Sequence, residues 1–187
     1  MSWNPRNATV QAELVRLLMK MGREEEAAPE YEALIRLQPE NAGAMTTLAS
    51  IRQKQGRDAE ARDLYAQAIA AAGQRSGGEA VAPLMRLVRL LSTSADPNVR
   101  DTKQAVLMME RLVQQSQRRD PALLDILASV LAADGRVDEA VRTSDEAATL
   151  ADQMQAPELA KEIRARAAQY RQRDQSPPML GPTAAPQ

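Results

Sequence analysis

Apolar side chains recur at helical spacing along most of the chain, and short breaks divide the pattern into helix-sized segments. Between residues 8 and 19, spacings of three and four predict one face of an α-helix, formed by Val10, Leu14, Leu17 and Leu18. Gly22 follows, and glycine ends a helix readily because it adopts a left-handed conformation at little cost. The pattern resumes from about Glu24 to Leu37, and Pro39 predicts the end of this second helix.

The two-helix pattern repeats after 34 residues. The shift from Gly22 to Gly56 also matches residue types at four other pairs of positions, which are Pro5 and Pro39, Leu14 and Leu48, Ala27 and Ala61, and Tyr31 and Tyr65. Matches at one spacing identify an internal repeat, whose second copy covers residues 42–74. A later copy covers 121–153, where Ser144 replaces the tyrosine.

The segment between these copies is an irregular copy. Helices are expected over residues 82–91 and 101–115. The register requires an inward alanine 16 residues after Leu84, whereas Ala105 follows it by 21. About five residues are therefore inserted, and the Ser/Asp/Pro-rich segment 92–101 is the predicted loop.

The two ends of the array are expected to differ. A last helix over residues 157–173 has a charged side, which is typical of a C-terminal capping helix. The repeat domain would thus span 8–173, and the proline-rich segment 174–187 is expected to be a flexible tail. Residues 1–7 look like the end of a preceding repeat, and no capping helix comes before residue 8. We therefore expect the first helix to expose its outer face. The chain would then be either the C-terminal piece of a longer array or completed at this face by another protein.

The order of residue types within each 34-residue copy resembles the tetratricopeptide repeat (TPR), specifically the C-terminal part of a bacterial-type array. The first copy matches that family's signature at Leu14, Gly22, Ala27, Tyr31 and Pro39. The second copy matches it at Leu48, Ala49, Gly56, Ala61, Tyr65 and Ala68, and at Met45 it keeps a large residue. Where the family has a first-helix tryptophan, the two copies have Gln11 and Met45. Where it has a first-helix tyrosine, they have Leu18 and Arg52.

This resemblance implies an all-α fold: an α-solenoid of about four TPR-like helix pairs, the third irregular, with a C-terminal capping helix. It also implies a concave groove, lined by the first helix of each pair, that holds an extended peptide or a partner helix. Projecting the register onto these helices gives the candidate groove residues Thr9, Arg16, Lys20, Thr46, Ser50, Gln53, Lys54, Met85 and Arg89.

Four of the candidate groove residues are cationic, which favours an acidic or carboxylate-ended partner segment. The alternative is that they are solvated charges on helices that must stay soluble. Outside the helices, the single tryptophan Trp3 and the tail residues Met179 and Leu180 are candidate interface anchors.

The composition excludes several kinds of catalytic and ligand-binding site. The chain has no Cys and no His, so thiolate metal sites, disulfides and the commonest catalytic base are excluded, and no cofactor or metal is expected. Gly77-Gly78 lacks the lysine of a phosphate-binding loop. The 24 Lys and Arg balance 25 Asp and Glu, which disfavours a nucleic-acid binder. No signal peptide or apolar membrane span is visible, so the compartment is unknown and the cytoplasm is the default.

The sequence therefore predicts a non-catalytic protein-interaction scaffold, acting as a subunit or assembly factor. It would bind a partner segment in the concave groove or through the uncapped N-terminal end. The alternative is a C-terminal accessory domain that positions substrate in a larger enzyme, such as a membrane-bound glycosyltransferase.

Overall fold

A computed structural model describes residues 8–73 and 80–174 of the 187-residue chain. These residues form α-helices and no strand, which confirms the all-α helical repeat fold. In chain order the helices are α1 (Ala8–Lys20), α2 (Glu24–Leu37), α3 (Ala42–Lys54), α4 (Asp58–Gly73), α5 (Val81–Thr93), α6 (Thr102–Gln115), α7 (Pro121–Ala133), α8 (Val137–Gln153) and α9 (Pro157–Asp174). The chain divides into two compact units, one ending at Ala105 and one beginning at Val106.

The turn between the helices of a pair has the same construction in three places. Gly22, Gly56 and Gly135 have positive φ angles of 70°, 73° and 81°. In each turn the residue after the glycine donates its backbone N–H to a carbonyl five residues earlier, as Arg57 does to Arg52 at 2.9 Å. This left-handed closure satisfies the last carbonyls of the first helix and directs the chain into the second.

An arginine follows each of these glycines and pairs with a glutamate in the first turn of the next helix. The Nε–Oε1 distance is 2.6 Å for both Arg23–Glu26 and Arg57–Glu60, and 2.7 Å for Arg136–Glu139. The arginine hydrogen bond lowers the pKa of Glu26 and of Glu139. The sequence signal is Gly-Arg-x-x-Glu-Ala, which recurs from residues 22, 56 and 135.

The core of the first unit is built on alanines and two tyrosines. Ala27 and Ala61 are fully buried, as the register predicts, and so is Tyr65. Small side chains at these positions let neighbouring helices approach closely, and the tyrosine rings fill the remaining space. Burial raises the pKa of Tyr31, which contacts Thr47 of α3.

The inserted loop is shorter than predicted, because α5 continues to Thr93 and α6 starts at Thr102. Segment 94–101 packs within the first unit. The Ser94 hydroxyl lies 2.5 Å from Oδ2 of Asp58, and Val99 is buried. The insertion is therefore part of the packed structure.

In the second unit, α8 packs between α7 and α9. Leu124, Ala140 and Ile163 are fully buried, one from each of these helices. Two hydrogen bonds of 3.0 and 2.6 Å join the Arg166 guanidinium to the Asp125 carboxylate and so tie α9 to α7. The exposed side of α9 is polar, as expected for a capping helix, with Lys161, Glu162 and Arg164 at the surface.

Candidate partner-binding surfaces

An apolar stripe on α1 is exposed. It consists of Val10, Leu14 and Leu17 on one side of α1 and of Met21, the first residue after the helix, at spacings of four, three and four residues. Leu17 is 52 % exposed and Met21 64 % exposed. The side of α1 that packs on α2 is instead formed by Gln11, Val15 and Leu18. The sequence pattern had grouped Leu18 with three residues that prove exposed, because it could not separate two adjacent apolar faces of one helix.

The internal repeat shows what normally covers such a stripe. The 34-residue shift carries Val10, Leu14 and Leu17 onto Ala44, Leu48 and Ile51 of α3. Leu48 is 3 % exposed and Ile51 2 % exposed. Both belong to one apolar cluster with four residues of α2, which are Ala27, Ala28, Tyr31 and Leu34. The α1 stripe therefore occupies the position at which α3 receives the second helix of the preceding pair.

A charge accompanies the stripe. Lys20 corresponds to Lys54 in the 34-residue register. Lys54 reaches Glu24, in the first turn of α2, with its Nζ 2.6 Å from Oε1. Lys20 is exposed and has no side-chain partner among the described residues. The exposed side of α1 thus carries both the apolar stripe and a lysine that pairs with no described side chain.

The predicted groove positions of α3 form a second, polar surface. Ser50 hydrogen bonds to the hydroxyl of the buried Tyr65 at 3.0 Å, and the Gln53 amide oxygen lies 3.4 Å from the same hydroxyl. Thr46 donates to the Ala42 carbonyl at 2.7 Å. These three side chains are partly buried. We call the set of predicted groove residues the first-helix face.

The cations of the first-helix face differ in their pairing. Arg16 donates to Glu13 at 2.6 Å, and Lys54 is held by Glu24. Among the described residues, neither Lys20 nor Arg89 has a side-chain partner. The positive potential available to an acidic segment therefore comes mainly from two of the four predicted cations.

The other predicted site residues fall in two groups. Thr9 is exposed on α1, and Met85 is partly buried on α5. Trp3, Met179 and Leu180, the predicted interface anchors, lie outside the described residues.

A groove of about 680 Å³ in the second unit was not predicted. Leu127 and Leu131 of α7 contribute to its apolar lining. Leu107 of α6, which is 55 % exposed, also lines the groove. Arg118, one of its charged lining residues, donates to Glu146 at 2.8 Å. Periodicity along the chain could not indicate this groove, because it depends on how three helices of two neighbouring repeats meet.

Two classes of site find no support within ranges 8–73 and 80–174. None of the helices there is long and apolar enough to cross a membrane. No group of three acidic side chains in those ranges is placed to hold a metal ion.

Comparison with known proteins agrees with this geometry. Residues 13–76 match the model of the tetratricopeptide repeat family. Over this segment the chain is similar to tetratricopeptide repeats. The matched TPR segment covers most of the first two helix pairs, including the α2–α3 packing described above. A search of curated proteins returns no match to the sequence.

Solved structures share the fold along nearly the whole chain. A variant of the TPR-like repeats designated a kinesin light chain from Podosopora anserina superposes with a TM-score of 0.67 and 21% identity, covering 94% of this chain and 91% of that one. MamA from Desulfovibrio magneticus RS-1 gives 0.60 and 11%, covering 90% and 97%. YrrB, described as a TPR protein with an unusual peptide-binding site, gives 0.56 and 18%, covering 90% and 89%.

Proposed function

We propose that this chain is a non-catalytic protein-interaction scaffold, a subunit or assembly factor that holds a partner polypeptide at the α1 stripe and the adjoining first-helix face. The exposed stripe of Val10, Leu14, Leu17 and Met21 carries the proposal. Contiguous apolar surface of this kind on a soluble domain is typical of a protein-binding site. The peptide-binding site of YrrB, a protein of the same fold, supports the class of partner.

A photo-crosslinking experiment tests where the partner binds. A benzophenone amino acid replaces Leu17 in the tagged full chain, and a matched chain carries it at Leu107, which is equally exposed on α6. We expect irradiation in the source cells to attach one partner protein to position 17 and not to position 107. Mass spectrometry of the crosslinked peptides identifies the partner and the contact. A partner that copurifies with the chain but crosslinks from neither position, or equally from both, would contradict the proposed surface.

The predicted preference for an acidic partner would come from Lys20 and Arg89, the two groove cations with no side-chain partner among the described residues. Reversing Lys20 and Arg89 to glutamate should weaken binding of the partner identified by crosslinking about tenfold at low salt, because charge complementarity guides docking. Reversing Lys161 and Arg171 on α9 is the control for total charge. Binding is measured by calorimetry at two salt concentrations, with circular dichroism to verify helix content. Equal affinity for all three proteins would reject a cationic first-helix face.

A further inference from the structure

We propose that the α1 stripe binds one amphipathic α-helix of another polypeptide, and that this helix has the chemistry of α2. It would carry an acidic residue in its first turn, followed by a pair of small residues, an aromatic residue and a leucine on one face. This inference rests on the proposed function, because it names the partner of the same edge.

The apolar face of the partner helix is inferred from the 34-residue register. Leu48 and Ile51 of α3 are buried in one apolar cluster with the α2 residues Ala27, Ala28, Tyr31 and Leu34, a cluster that also includes Val15 and Leu18 of α1. Leu14 and Leu17 stand at the equivalent places on α1. A helix packs on another helix when its ridges fit the grooves of its neighbour. A partner with the α2 face therefore fits the α1 stripe with little rearrangement.

Charge specifies the orientation of the bound helix. Glu24 in the first turn of α2 binds Lys54 at the end of α3. Lys20 is the equivalent lysine on α1 and has no partner among the described residues. A helix bound as α2 is bound to α3 would bring its acidic first turn to Lys20, where the pair would favour this orientation over the reverse.

A second copy of this chain fits the stripe poorly. The exposed side of its α9 is charged, with Lys161, Glu162 and Arg164 at the surface. Stacking that helix on α1 would bury these charges against apolar side chains. Pairing two α1 helices offers Lys20 no free acid, because Glu13, the only acid of α1, already binds Arg16.

A peptide with the sequence of α2 can serve as the test ligand. A fluorescein-labelled peptide with the sequence Glu24–Leu37 carries the required face, and Pro29, which is exposed in α2, is replaced by alanine to raise its helix propensity. Fluorescence anisotropy of this peptide with the full chain measures the affinity. Short helices are marginal in water, so we expect a dissociation constant on the order of 0.1 mM.

Variants locate the binding and test its chemistry. Leu17→Glu should weaken the peptide at least about tenfold, whereas Leu107→Glu, the same change at an equally exposed leucine, should leave the affinity unchanged. Lys20→Glu should weaken it about threefold, and a peptide with Glu24→Lys should recover that loss. A peptide with Tyr31→Ala should bind weaker by about tenfold.

Three results would overturn the proposal. The peptide could fail to bind at about 1 mM, a threshold of about −4 kcal/mol. Leu107→Glu could weaken it as much as Leu17→Glu. Sedimentation could show a dimer that Leu17→Glu dissociates and the peptide does not displace, which would make a second copy the occupant. A partner crosslinked at position 17 alongside a peptide that fails to bind would leave the proposed function standing and reject only the α2-like chemistry.

Discussion

At the residue scale, the tyrosine position of the repeat is used in two ways. In the second copy, Tyr65 is buried and its hydroxyl is satisfied by Ser50. In the later copy, Ser144 takes this place, is fully buried, and has no hydrogen-bond partner for its hydroxyl among the described residues. The substitution is visible in the sequence. The unsatisfied hydroxyl is not, because the register gives a position but not the atoms that surround it.

Ser144→Ala should therefore stabilise the protein by about 1 kcal/mol, since an unsatisfied buried hydroxyl costs free energy that a methyl group does not. Ser50→Ala is the matched control and should destabilise by about 1 kcal/mol, because the Tyr65 hydroxyl loses a partner. Urea unfolding followed by circular dichroism gives both values. A loss of stability in Ser144→Ala comparable to that in Ser50→Ala would show that Ser144 is bonded.

At the scale of the elements, glycine and proline made the helix ends predictable. The predicted second helix has the bounds of α2, and the predicted ends of α5, α6 and α9 differ from the observed ones by one or two residues. The side-chain interactions that join neighbouring helices were harder to predict. Arg52 stands where the family has a tyrosine, and its buried side chain binds Glu32 of α2 and Glu60 of α4. Nothing in the periodicity indicated a buried arginine.

Arg52 corresponds to the buried Leu18 in the 34-residue register, which makes a comparison of two variants informative. Arg52→Leu should change the free energy of unfolding by less than about 1 kcal/mol, because an apolar side chain can replace a buried ion pair at little cost. Arg52→Ala should cost about 2–3 kcal/mol, because it removes packing as well. Chemical denaturation measures both. Equal losses would mean that the ion pairs, rather than the packed side chain, stabilise the three helices.

The Gly-Arg-x-x-Glu-Ala turns predict a pH dependence. The arginine hydrogen bonds lower the pKa of Glu26 and Glu139 in the folded state. Their contribution is present above the unfolded pKa, about 4.3, and is lost as the pH falls through the lowered folded value. The double variant Glu26→Gln, Glu139→Gln should thus lose less stability than the parent between about pH 6 and pH 3. Urea midpoints across this range test it, and identical slopes would contradict it.

At the scale of the whole molecule, exposed large apolar side chains are concentrated on α1. Half of those among the described residues belong to the α1 stripe, and the others are Leu37, Val81, Leu107 and Met154. The sequence led us to expect an exposed outer face on the first helix, because Pro5 stands 34 residues before Pro39. It did not reveal which side chains form the edge, since Leu14 and Leu18 are both apolar and only packing on α2 separates them.

Equivalent substitutions on α1 and α3 test whether the edge is open. Leu17→Ala should change the free energy of unfolding by less than about 0.5 kcal/mol, because the side chain is exposed. Ile51→Ala, at the corresponding buried position of α3, should cost about 3 kcal/mol. Thermal unfolding compares them. A large loss in Leu17→Ala would mean that the stripe is already covered within the chain.

The central claim is that a partner helix binds at α1, and hydrogen exchange of the full chain with and without the Glu24–Leu37 probe peptide tests it most directly. We expect α1 amides to exchange faster than α3 amides in the free chain, because among the described residues α1 packs on one side only. We expect the peptide to slow exchange in α1 and to leave α7 and α8 unchanged. Protection confined to another element, or bound peptide that leaves α1 exchange unaltered, would contradict it.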